Sequence, residues 1–565
     1  MMRKIKLIKG GMFIMKKLFT LLLSLFLLVG CGGSKEGTDG TADTDSSTSS
    51  DKTVTVVSSL DVISMDTAVA TDGTSFIAQT MCLAGLMELD ENQNPIPDLA
   101  ESYTVSDDGL VYTFKIRDDA NWSNGDPVTA ADFVYGWQRV VDPEIASEYN
   151  WMMETANIVN GNCYDADSGL TKEDLGVKAL DEKTLEVTLN KPTGFFLSLM
   201  AFPVFFPANQ AFVESCGDQY ALSVDNILSC GPYTFSAWTA GYSYEFDLNE
   251  GYWDYDNYVA ANGAEKVVFR VIADTQTSLL EYESGNLQTV ILSGEQVNAN
   301  KDAEGYTSKL TGYLYYLLLN INNSDSEDLQ NLNIRQALSY ALDRETIAAA
   351  LNDGSVAAEG IVPFALAGNP ETGADFRDDS GKLVSYDVET AKKYYADGVA
   401  ELGHDVTIEL LYGTDEGDSV IKAAEQIQSY LEEVGFTVNL NGKPKKERLS
   451  LQTEHSFQVS LTRWGPDYGD PQTYMDLFLS TNTSNNQGGW ASVLYDDEVL
   501  DAESGQVSAL ERWNDFVEAE KVLVADEAAV IPVFQAGGAM LISPSISGIQ
   551  FHSAGVDNYR HITVK

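Results

Sequence analysis

Residues 85–149 read GLMELDENQNPIPDLAESYTVSDDGLVYTFKIRDDANWSNGDPVTAADFVYGWQRVVDPEIASEY. Strand, turn and helix signals follow one another here within a few residues. LVYTFKIR (Leu110 to Arg117) alternates apolar and polar side chains, the period of a strand with one buried face. Trp122 with Asn124-Gly125 reads as a turn with an aromatic ring packed beneath it. AADFVYGWQRVV (Ala130 to Val141) then has apolar residues at helical spacing, and Thr129 stands where an N-cap belongs. The stretch is α/β.

The same alternation extends in both directions without a fixed repeat. TVTVVSS (Thr53 to Ser59) and TLEVTLN (Thr184 to Asn190) read as strands, and SFIAQTMCLAGLMEL (Ser75 to Leu89) as a helix. In IRQALSYALDRETIAAAL, Ile334, Ala337, Leu338, Ala341 and Leu342 fall on one helical stripe. TIELLY (Thr407 to Tyr412), a helix SVIKAAEQIQSYLEEV closed by Gly435, and FTVNL form a βαβ unit, which implies a parallel pair covered by helix. FQVSLTRW (Phe457 to Trp464) is a further strand that runs into the loop GPDYGDP. The sheets are therefore expected to be mixed. From Thr53 to Lys565 the body exceeds 500 residues, which argues for two or three domains.

The N-terminal segment differs. MKKLFTLLLSLFLLVGC, from Met15, has two lysines, thirteen largely apolar residues and a cysteine. A spanning helix needs about 20 apolar residues, so residues 1–30 are expected to be a signal peptide. Leu28-Val29-Gly30-Cys31 resembles a lipobox, with Cys31 as the lipidated residue. Residues 31–52 carry no apolar side chain larger than alanine after the cysteine, too little to drive folding. The 21 residues after Cys31 would form a tether about 25 Å long.

The formal charge is −50, from 35 basic and 85 acidic residues. Nucleic acid is excluded as a partner, since phosphate binding needs clustered Lys and Arg. Cys82, Cys163, Cys216 and Cys230 remain after Cys31. On spacing, Cys216 with Cys230 is the pair to consider if a disulfide forms outside the cell, and free buried thiols are the alternative.

The chain lacks the marks of catalysis: no GxSxG, no HExxH and no P-loop. His404, His455, His552 and His561 lack metal-ligand spacing. No cofactor, metal or enzyme activity is expected. The chain looks built to hold a ligand.

Several ordered segments carry a resemblance. They are Pro97 to Ser102, Asp108 to Leu110, Phe114 to Arg117, Trp122 to Gly125, Thr129 to Phe133, Ser229 to Tyr233, Asn333 to Leu338, Trp464 to Pro471 and Ile531 to Phe534. Together they resemble the bacterial solute-binding proteins of peptide and nickel ABC importers, most of all the oligopeptide-binding lipoproteins. The resemblance spans the whole body.

The resemblance implies a two-lobed, three-domain periplasmic-binding-protein-like fold with a cleft between lobes. Lobe one would take residues 53–90, 201–305 and 531–565, a smaller inserted domain 91–200, and lobe two 306–530. The lobes would close about a hinge of two crossing strands. A monomer is expected, lipid-anchored on the outer face of the cell membrane of a Gram-positive type. It would pass oligopeptides to an ABC permease and its ATPase subunits, touching the membrane through its lipid alone.

A peptide would lie extended, one edge supplied by residues 70–75 (Thr71, Asp72, Gly73, Thr74 and Ser75 among them). The segment Arg463, Trp464, Gly465, Pro466, Asp467 and Tyr468 would supply the other. Asp467 matches the family aspartate that meets the peptide's α-ammonium group. Asp470 is its rival, although Pro471 after it favours a turn role. Trp122, Trp137, Trp253, Trp513, Arg335 and Asp343 are read as scaffold or ion-pair partners. Some relatives bind nickel chelates, sugars or other small solutes, so those remain the alternative, and an extracellular hydrolase is the reading from another class. The acid in the Trp464 loop favours a cationic end group, hence peptides.

Overall fold

The computed structural model describes residues 52–322, 324–366, 368–466, 468–483 and 485–565. The expected signal sequence, tether and Cys31 lie outside the described residues, as does Asp467.

The largest sheet has seven strands. Six run in the order Thr289–Leu292, Val530–Ile542, Tyr306–Leu319, Val459–Trp464, Thr407–Gly413 and Thr437–Lys443, and Val356–Ala357 adds to Val530–Ile542. Thr407–Gly413 is parallel to both its neighbours, and the other pairings are antiparallel, so the sheet is mixed as expected. The run Leu314 to Leu319 shows why both faces are covered. Tyr315, Leu317 and Leu319 enter one core with Ile334, Leu338 and Ile427, while Leu314, Tyr316 and Leu318 enter another with Phe478, Tyr495 and Trp513. A continuous apolar run is what a strand buried on both faces requires.

Helix Asp418–Val434 covers the first of these faces with Val420, Ala423, Ala424, Ile427 and Leu431, and it stops at Gly435, whose φ of +126° suits glycine. This confirms the expected βαβ unit.

Two four-stranded sheets complete the scaffold. One joins Thr53–Ser58, parallel, to Lys266–Val271, then antiparallel to Ser243–Leu248 and Tyr233–Thr239. The other is antiparallel throughout: Ala100–Val105, Val111–Ile116, Thr184–Thr188 and Val177–Asp181. They share one apolar core that contains Val54, Phe114, Trp137 and Phe246. Helix Ala130–Val140 packs there, started by a capping box between Thr129 and Asp132.

Three local expectations need correction. The helix expected over residues 75–89 ends at Cys82. At Gly85 an added Cβ would strike the Met200 carbonyl, and Met87–Leu89 turns to pair with Pro95–Pro97. The stripe over residues 334–351 is two helices, Leu332–Tyr340 and Arg344–Leu351, because Asp343 leaves the helix and caps the second by accepting the Thr346 N–H at 3.0 Å. Cys216 and Cys230 are not paired: Cys82, Cys163, Cys216 and Cys230 are all free. Cys216 ends the helix Gln210–Cys216, whereas Cys230 is buried with its N–H on the Cys82 carbonyl. Among the described residues no helix is long and apolar enough to cross a membrane.

Candidate functional site

Strand Val459–Trp464 pairs along its whole length with Tyr306–Leu319, from Val459 opposite Leu319 to Trp464 opposite Leu314. On its other side Thr407–Gly413 reaches only Val459 and Ser460. That edge of Leu461 to Trp464 therefore has no strand beside it among the described residues. An unpaired edge can take up an extended ligand as an added strand.

The side chains that end this strand are fixed individually. Arg463 Nη1 donates to the Tyr315 hydroxyl at 3.0 Å, and its guanidinium lies 4.6 Å from the centre of the Tyr313 ring. Burial raises the Tyr315 hydroxyl above the usual phenol range, with Arg463 opposing it in part, so the phenol stays neutral and can accept. Trp464 Nε1 donates to Thr473 Oγ1 at 3.3 Å. A Cβ on Gly465 would run into the Tyr313 ring, and one on Gly312 would run into Pro466, so glycine at both positions lets the loop lie against the long strand. Tyr474 donates to the Gly312 carbonyl at 2.6 Å and ties the returning chain to the same strand.

Asp470 is held on two sides. Its carboxylate receives Arg512 Nη1 and Nη2 at 2.9 and 2.7 Å and caps the Gln472 N–H at 2.9 Å. With its charge matched by Arg512 it acts as a turn and ion-pair residue, in line with its place before Pro471. Asp467, between these fixed points, lies outside the described residues.

The second expected segment is organised as a helix start. Thr71 is exposed, and Asp72 is extended and accepts the Ser75 N–H at 2.9 Å through Oδ1, while its Oδ2 is buried without a hydrogen-bond partner. From Gly73 the chain is helical (Gly73–Cys82), so the edge expected over residues 70–75 stops at Asp72. A Cβ on Gly73 would meet nothing within 4 Å, which leaves open space above the first turn. Thr74 is half-buried. Ser75 is buried, and its hydroxyl accepts the N–H groups of Ile63 and Ser64 at 3.0 and 3.1 Å. Its side chain holds the preceding loop.

A pocket lies between the later turns of helix Gly73–Cys82 and the loop after Trp464, and Thr71 to Ser75 are not among its lining residues. It is lined by Thr80 from that helix and by Tyr468 and Gly469 from the loop, with Phe202, His552 and Arg560 in its walls. Tyr468 stacks on Phe195 with ring centres 4.1 Å apart. Glu88, also in the wall, lies 3.3 Å from Arg560. Burial alone would raise its carboxyl, but Arg560 and then His561 outweigh it and hold it at about 2. The sequence reading missed Thr80, Phe195, Phe202, Tyr313, His552 and Arg560. The alternating aromatics Tyr313 and Tyr315 are the one local signal that could have drawn notice.

Among the described residues Arg335 and Asp343 form no ion pair. Arg335 donates to the carbonyls of Leu329, Gln330 and Glu527. Trp137 and Trp513 are core, and Trp253 is half-buried beneath Arg117, 3.5 Å from its ring centre.

The chain matches a known family. The model for bacterial extracellular solute-binding proteins, family 5 Middle, matches residues 94–486. A dipeptide-binding protein of Lactococcus lactis is 34% identical over 552 residues, covering 94% of this chain and 96% of its own. The dipeptide-binding protein DppE of Bacillus subtilis is 31% identical and covers 96% and 97%. Among solved structures, Listeria monocytogenes OppA bound to peptide superposes with a TM-score of 0.72 at 33% identity, covering 92% of this chain and all of that one. On these grounds, and on its mixed α/β sheets, the chain belongs to the bacterial extracellular solute-binding proteins of family 5.

Proposed function

We propose that this protein is the peptide-capturing component of an ABC importer, working outside the cytoplasmic membrane. It binds and does not catalyse. The observation that carries the reading is the end of strand Val459–Trp464. There, among the described residues, the half-buried Arg463 and Trp464 have no strand beside them opposite Tyr306–Leu319 and can offer main-chain hydrogen bonds to an extended peptide. The relatives named for dipeptides, and the similar structure bound to peptide, support that ligand class.

Within this reading Asp467 receives the α-ammonium group, because it follows directly on the free edge and Asp470 is already matched by Arg512. Arg463, Trp464, Gly465 and Tyr468 frame one side, and Thr71 to Thr74 the other. Residues 53–90, 201–305 and 531–565 make lobe one, 91–200 the inserted domain and 306–530 lobe two. The strands Tyr306–Leu319 and Val530–Ile542, with irregular pairing between Leu310 and Tyr316, serve as the hinge. A signal peptide ending at residue 30, lipidation of Cys31 and the tether to residue 52 keep a monomer at the cell surface. There it hands ligand to a permease driven by its ATPase subunits.

The test is mass spectrometry of small molecules released from protein purified without refolding. Peptides with free N-termini are the expected finding, and a nickel chelate or a sugar in their place would overturn the reading.

A further inference from the structure

Where residues 189–195 meet the large-sheet half of the molecule, three contacts cluster. Phe195 stacks on Tyr468, Pro192 lies where a Cβ on Gly505 would press, and Lys191 Nζ donates to Glu503 Oε2 at 3.2 Å. Glu503 ends the helix Val493–Glu503, and beside it Asp476 opens the short turn Asp476–Phe478.

The two carboxyl groups share their surroundings unequally. Gln472 Nε2 donates to Asp476 Oδ2 at 3.2 Å, and Lys191 serves Glu503 Oε2. The remaining oxygens, Asp476 Oδ1 and Glu503 Oε1, are buried and have no donor among the described residues, and Glu503 is the neighbouring carboxyl that acts on Asp476. Two ionised carboxylates so placed would repel and leave both oxygens unsatisfied. One proton on Asp476, donated to Glu503, satisfies both. Burial first, and then Glu503, push the Asp476 carboxyl well above its usual range, with Gln472 and Lys191 opposing.

The pair is also connected to the ligand loop. Arg512 Nη2 donates to Gln472 Oε1 at 3.0 Å, and the same guanidinium grips Asp470. A polar chain thus runs from Asp470 through Arg512 and Gln472 to Asp476, Glu503 and Lys191.

We propose that Asp476, Glu503 and Lys191 form a latch on the shut cleft. A neutral Asp476 orients the Glu503 carboxylate, which holds Lys191 of the facing domain, and Gln472 and Arg512 link that grip to the loop ending at Asp470. Asp476 is a positioning residue, since it acts through Glu503. The latch rests on the two-lobed peptide-binding reading above.

Calorimetry of ligand-stripped protein with tetra-alanine tests it, together with melting of the empty protein. Lys191→Met removes a partly exposed cation and is expected to weaken binding about fivefold while the empty protein melts as before. Asp476→Leu, which cannot donate, is expected to cost a similar factor. Asp476→Asn, whose amide can donate to Glu503, is expected to stay within about twofold of wild type, and Lys191→Met added to Asp476→Leu to cost less than about twofold more. Binding unchanged by Lys191→Met, equal losses from Asp476→Asn and Asp476→Leu, or losses that multiply independently would each overturn the latch. Absence of wild-type binding would instead overturn the peptide reading, and the latch with it.

Discussion

Two charged regions use their charge in opposite ways, one around Arg560 in the pocket wall and one around Arg463 near the end of strand Val459–Trp464. Arg560 is enclosed, its side chain 3% exposed against 1% for Asp98. Its Nη2 donates to Asp98 Oδ2 and to the Tyr252 hydroxyl at 2.9 Å each, while Tyr252 and Trp253 donate to Asp98 Oδ1 at 2.8 and 3.1 Å. That cluster ties the C-terminal segment to the chain near residue 98, and its charge is spent inside the protein. In the loop after Trp464 the reverse holds. Arg463 rests on the half-exposed ring of Tyr313, Trp464 is half-buried, and among the described residues no strand lies beside the two opposite Tyr306–Leu319. Buried polar groups are expected to be satisfied by the protein. A strand end with no partner strand beside it is where an extended ligand can add.

The contrast can be broken at its buried end. Arg560→Met would leave Asp98 and Glu88 enclosed without their cation, a change that costs about 3–5 kcal/mol. Chemical denaturation of the empty protein should show the loss. A change below about 1 kcal/mol would mean that the cluster is hydrated and that burial does not separate the two regions.

The open end is tested by Asp467→Asn. If the carboxylate meets the peptide's ammonium group, its removal leaves that charge unpaired in a closed cleft and should weaken binding about a hundredfold, or about 2.7 kcal/mol. Denaturation of the empty protein should barely change. Acetylating the peptide's N-terminus should cost wild type a similar factor and the variant little more. Equal binding of free and acetylated peptides by both proteins would place the ammonium site elsewhere.

How much of this was legible in the sequence follows from how far apart the deciding residues lie. Local periodicity was enough for the strands at residues 53–58, 111–116 and 407–413 and for the helices at 130–140 and 418–434. Periodicity overran where a single contact ends an element. Asp343 stops one helix by capping the next, and the chain at Gly85 is pressed against the Met200 backbone. The Trp464 to Pro471 motif marked the loop, but its supports come from Gly312, Tyr313, Phe195 and Arg512. The pocket's wall likewise takes Arg560 from the last few residues. No local pattern joins such positions, because only the folded sheet brings them together. Asp476 and Glu503 were hidden for a related reason: among 85 acidic residues, nothing in spacing marks the pair whose environment is unusual.

That pair supplies the smallest expected effect and the finest test of the contrast, since it is buried like Arg560 but belongs to the side of the open loop. Its acid is raised well above the ordinary carboxylate value by burial and by Glu503, so the folded state keeps a proton that the unfolded state loses above about pH 4. Stability from this group is then fully present below that pH and falls as pH rises toward the folded-state value. Asparagine carries no such proton. Asp476→Asn should therefore melt close to wild type near pH 4 and become progressively the more stable protein toward pH 7. The gain should reach about 1–2 kcal/mol, against a ceiling of about 1.4 kcal/mol per pH unit for one proton. Melting of the two proteins across that range, without ligand, is the measurement. A difference that stays flat with pH would mean that Asp476 is ionised in the fold, and Glu503 would then have to be oriented by Lys191 alone.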